Sequence, residues 1–101
     1  MADYQVTYWR ELPSLVVARD GDQQAKAPLA DRFQGAIDEA AMRLGDVGSD
    51  DYLAGWRRGV WSAAEGEPAE VVERVVAELE AAWPPPALTD YLDSLGPRSA
   101  S

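Results

Sequence analysis

The sequence predicts a small α+β domain: an antiparallel sheet of about three strands with two main helices packed on one face. Three observations carry this. Residues 4–19 are rich in β-branched and aromatic types around a proline turn. Two later stretches repeat apolar residues every three or four positions. The 101-residue length suits one domain and is too short for two.

Tyr4 to Arg10 reads as the first strand, with Tyr4, Val6 and Tyr8 on one face and Gln5, Thr7 and Trp9 on the other. Glu11 to Ser14 reads as a four-residue turn, because Pro13 cannot donate to a strand ladder. Leu15 to Arg19 is the second strand, antiparallel to the first, and Asp20-Gly21-Asp22 is a further turn. Pro28 is placed to open a helix whose apolar stripe is Leu29, Phe33, Ala36, Ile37, Ala40, Ala41 and Leu44, stopped by Gly45. Ser49 is a candidate N-cap for a short turn burying Tyr52, Leu53 and Trp56.

Trp56 to Ser62 is read as a third strand. Strict alternation places Trp56, Arg58 and Val60 on one face and Arg57 and Trp61 on the other, with Gly59 weakening it or marking a bulge. Pro68 opens the last long helix, with Val72, Val75, Val76, Leu79 and Trp83 on its apolar side. Prolines 84–86 end it. The domain is therefore expected to span residues 1–83, followed by a proline-rich tail, 84–101, with room for one short helix near Thr89 to Leu95. The expected core is Leu15, Val17, Phe33, Ile37, Leu44, Val75 and Leu79.

Composition narrows the function classes. Nine basic residues against eighteen acidic ones give a net charge of −9. That disfavours nucleic acid and anionic membrane surfaces as partners. The chain contains neither cysteine nor histidine. Disulfides, thiolate metal sites and the commonest general base and metal ligand are thereby removed. Neither a secretory leader nor a membrane-spanning run is visible, so a cytoplasmic location is expected. Adjacent acids such as Asp38/Glu39 more simply face water than perform acid–base work. Asp46, Asp50 and Asp51 lie on a glycine-containing loop of the kind that suits a hard cation, but without calcium-loop spacing. No catalytic residue, metal or cofactor is assigned.

What stands out is aromatic and basic. Tyr8-Trp9-Arg10 lies on the first strand, and Trp56-Arg57-Arg58 with Trp61 on the third. If those strands are neighbours, Trp9, Arg10, Trp56, Arg57, Arg58 and Trp61 form a candidate binding surface. Tryptophan and arginine dominate binding hot spots, and arginine grips carboxylates and phosphates with two prongs. The competing reading is structural: indoles in a small domain pack into the core and arginines stack on them. Two functions follow from the surface. One is a non-catalytic module that binds a protein partner. The other is an accessory subunit that binds a small molecule or an anion such as a carboxylate or phosphate.

The string Tyr8-Trp9-Arg10-Glu11-Leu12-Pro13-Ser14, with Leu15 to Arg19 after it, resembles the start of the small bacterial "virulence factor" domain family. Arg32 to Asp38 and Gly48 to Gly59 fit the same pattern. The resemblance spans about residues 4–82. It implies a link to virulence rather than a biochemical activity, and it supplies no catalytic residues. Members occur alone or at the end of larger proteins that carry an iron–sulfur-scaffold-like domain and helical repeats. The resemblance further implies an association of stand-alone members with one-carbon and corrinoid methyl-transfer enzymes, which makes such an enzyme the candidate partner. Without cysteine, this chain could not scaffold a cluster itself.

Overall fold

The computed structural model describes residues 1–44 and 53–95. Among these residues five strands and three helices follow in the order β1 Ala2–Trp9, β2 Leu12–Asp20, β3 Gln23–Pro28, α1 Asp31–Leu44, β4 Trp56–Arg58, β5 Ser62–Ala64, α2 Pro68–Ala82 and α3 Pro85–Ser94. The sheet is antiparallel, ordered β3-β2-β1-β4, and β5 also pairs with β1. The expected class holds, with two more strands than expected and with a longer helix, α3, where the tail was given room for one short helix near Thr89 to Leu95.

The β1–β2 connection is tighter than expected. Trp9 pairs with Leu12, so only Arg10 and Glu11 form the turn. Arg10 takes a positive φ of 53° there, as two-residue hairpins demand. Pro13 does not end the strand. It sits inside β2 beside an irregularity where Thr7 faces Leu15 but Tyr8 faces Pro13, leaving Ser14 as the extra residue. The Ser14 carbonyl accepts the Leu29 amide instead. The turn at Gly21 and Asp22 leads into β3, an edge strand on residues to which the sequence assigns no element, apart from Pro28 as a helix start. Pro28 ends that strand rather than opening α1.

One face of the sheet carries the helices. Ala2, Val6, Leu12, Val16 and Ala18 form a single buried cluster with Phe33, Ala36, Ile37 and Ala40 of α1 and Val71, Val72 and Val75 of α2. The expected core is corrected at four positions, one of them Leu79, which is half-buried and packs against the cluster from outside it. Leu15 and Val17 are only half-buried, because β2 presents the opposite phase, Val16 and Ala18, to the helices. Leu44 is 37% exposed at the end of α1.

Helix α2 starts with Pro68 at its first turn, and the Glu70 carboxylate accepts the Glu67 amide just before it. At the other end of α2, Arg32 of α1 donates to the carbonyls of Glu80 and Trp83, and the Ala30 amide donates to Glu80. Prolines 84–86 do stop α2, but Pro85 at once opens α3, since the first helical turn needs no proline N–H. Leu88 of α3 is buried, so this helix docks on the domain instead of trailing from it. Gly45, Ser49, Tyr52 and the acids at 46, 50 and 51 lie outside the described residues.

Candidate functional site

The two Trp-Arg stretches are neighbours. Strand β4 pairs with the end of β1, matching Thr7 with Arg58, Tyr8 with Arg57 and Trp9 with Trp56. They do not form one surface. Trp9 has no exposed area, although alternation from Gln5 and Thr7 would leave it on the open side of the sheet. It is sealed by backbone: a Cβ at Gly55 would lie 2.6 Å from its Nε1, and the Arg10 amide donates to the Gly55 carbonyl. Trp9 is thus a core residue, and Trp56 is half-buried against the same core.

Arg10 lies by that buried indole and Arg57 by the ring of the preceding residue, Tyr8. The Arg10 guanidinium lies 5.2 Å from the centroid of Trp9. Arg57 lies 4.5 Å from that of Tyr8, and its Nε donates to the Arg10 carbonyl at 3.2 Å. Arg57 therefore fastens β4 to the tight β1–β2 turn.

Arg58 and Trp61 behave differently. Arg58 pairs with Thr7 and Ser62 pairs with Tyr4, so Gly59, Val60 and Trp61 span only Gln5 and Val6 of β1. One extra residue reverses the alternation between them. Arg58 and Trp61, expected on opposite faces of an unbroken strand, come to the same face. The detour is held by two hydrogen bonds, from the Gly59 amide to the Val6 carbonyl and from Gln5 Nε2 to the Gly59 carbonyl. Val60, at its tip, is 83% exposed.

That face is the side of the sheet away from the helices, and it is concave. A trough of about 300 Å³ has Leu15 and Val17 in its lining, together with Gln5, Thr7, Arg19, Gln24, Arg58 and Trp61. The Arg19 guanidinium lies 3.8 Å from the Trp61 ring centroid, a close cation–π contact. Sequence reading passed over Arg19. The usable signal was its parity: it follows Leu15 and Val17 at every second position of β2. Among the described residues, no hydrogen bond or ion pair engages the Arg58 side chain. Asp3 pairs with Arg19 in register but forms no ion pair with it.

Among the described residues no three acidic side chains gather as a metal site. None of their helices is long and apolar enough to cross a membrane.

Fold and face together define a small α+β domain with one helix-covered and one open sheet side, the open side furnished with arginine and tryptophan. A family model described as "Virulence factor" matches residues 7–91 of the 101, and the chain belongs to that family. The match runs past residue 82, where the resemblance was expected to end, into α3. No curated protein and no solved structure matches the chain.

Proposed function

We propose that this chain is a non-catalytic interaction module that binds a protein partner with its open sheet face, centred on Arg58 and Trp61. The observation that carries the reading is the extra residue between β4 and β5. It brings to one concave face a 37%-exposed indole and the Arg58 guanidinium, which no hydrogen bond or ion pair engages among the described residues. Arginine and tryptophan on a partly apolar floor have the composition of binding hot spots. Trp9, Arg10, Trp56 and Arg57 support that face from within and from its edge. A methyl-transfer enzyme of one-carbon or corrinoid metabolism is the first partner to try, on the strength of the family resemblance.

The concavity of the trough favours the second reading, an accessory subunit for a small carboxylate or phosphate. Its volume is at the lower end of small-ligand pockets, roughly 300–1,000 Å³, so it suits a compact anion and not a cofactor.

Quantitative co-purification from the host, comparing the tagged wild-type chain with Arg58→Ala/Trp61→Ala, tests the module reading. The double variant is expected to lose the partner while its thermal melt stays close to wild type. Retention of the partner at wild-type level would refute the assignment of this face.

A further inference from the structure

Resting on that reading, we infer that the trough recognises carboxylates, presented as alternate side chains of an extended acidic segment of the partner. The argument starts from charge. On a chain of net charge −9, Arg19 and Arg58 line one trough, and Lys26 stands on the same face because it pairs with Val17. Their polar neighbours in the trough lining, Gln5, Thr7 and Gln24, are uncharged, and Asp3, which shares the face by pairing with Arg19, forms no ion pair with it. A guanidinium grips a carboxylate through two parallel hydrogen bonds, and among the described residues nothing engages the Arg58 donors. Arg19 lies over the Trp61 ring at 3.8 Å, and its five N–H donors suit the same contact.

Scale and shape select the carrier. A trough of about 300 Å³ is too small to enclose a large ligand. It accepts one or two side chains from a strand-like segment laid along the face. Such a segment points every second residue into the trough. Arg58 near β1 and Arg19 on β2 then receive alternate carboxylates. A nucleic acid is a poor occupant, because its unbroken phosphate run would extend beyond three local cations into the acidic remainder of the chain. The patch itself acts at short range, since charges beyond about 8–10 Å are largely screened at physiological salt.

Two-dimensional NMR of the ¹⁵N-labelled full chain tests the inference, with the Trp61 indole N–H assigned by its loss in Trp61→Phe. Three probes are titrated in parallel: an alternating Ser-Glu peptide, the matching Ser-Gln peptide and inorganic phosphate. The Ser-Glu peptide is expected to shift the Trp61 indole and the Arg19 and Arg58 Nε–H signals saturably. Its affinity is expected to fall by about tenfold or more in Arg19→Gln/Arg58→Gln. An equal response to Ser-Gln peptide, saturation by phosphate as tight as by Ser-Glu, or unchanged affinity of the double variant would each overturn it. The outcome separates from that of the module reading. Co-purification lost with Arg58→Ala/Trp61→Ala while the Ser-Glu peptide fails to bind would keep the partner face and discard carboxylate recognition.

Discussion

Gly55 shows how one missing side chain sets the division of labour among the tryptophans. A methyl group there would meet the Trp9 indole at 2.6 and 2.7 Å, closer than real contacts allow. Gly55→Ala is therefore expected to destabilise the domain by about 1–3 kcal/mol, the range for overpacking a core, measured by urea unfolding. The two indoles best separated by burial make a sharper comparison. Trp9 is fully buried, so Trp9→Ala is expected to cost about 3–5 kcal/mol, against about 5–15 kcal/mol of total stability for a typical domain. Trp61 is 37% exposed, and Trp61→Ala is expected to stay within roughly 1 kcal/mol of wild type. Comparable losses for both would show that Trp61 is structural. Composition names these residues as chemically special. It cannot tell them apart, because their exposure depends on a close backbone approach and an inserted residue that alternation does not register.

Helix α3 is tied to the rest of the domain by burial and by hydrogen bonds. Leu88 enters the core, Arg43 of α1 donates to the Leu92 carbonyl, and the Tyr91 hydroxyl donates to Glu11 at 2.5 Å. Leu88→Ala is expected to destabilise by about 2–4 kcal/mol, whereas an undocked tail would show almost nothing in the same unfolding experiment. Burial, then the Glu11 hydrogen bond and its negative charge, hold the Tyr91 hydroxyl well above its ordinary pKa of 10.0. The raised value means that the fold favours neutral Tyr91. Its contribution is complete below pH 10 and is lost as the pH rises through the higher folded-state value. Tyr91→Phe should thus flatten the alkaline fall in stability that begins near pH 10, read from melts across that range. The elements read most directly from sequence were α1 and α2, whose apolar stripes repeat over several turns. Strand β3 was missed because Gln23-Gln24-Ala25-Lys26-Ala27-Pro28 has no β-branched residue and is recruited by pairing with β2. The phase of β2 was misread because Leu15, Val16, Val17 and Ala18 are all apolar. Only the helices decide which pair is buried. Helix α3 was reduced to a single turn because its prolines signal a stop as strongly as a start.

Across the molecule, the sheet has two unlike sides. Helices α1 and α2 cover one with aliphatic packing, and the other is open, concave and cationic in places on an acidic chain. The one-residue insertion between β4 and β5 links sequence to proposed function, since it moves Trp61 onto the face that already carries Arg58 and Arg19. The sequence showed the Trp-Arg chemistry and the neighbouring strands, but not this parity change or the contribution of Arg19. Hydrogen exchange of the complex with the co-purified partner tests the assignment of the face most directly. The account predicts new protection at the amides of Val60 and Trp61 and in the adjoining segment 57–62, with the outer surface of α2 unchanged. Protection confined to the helices, with residues 57–62 exchanging as in the free chain, would contradict it.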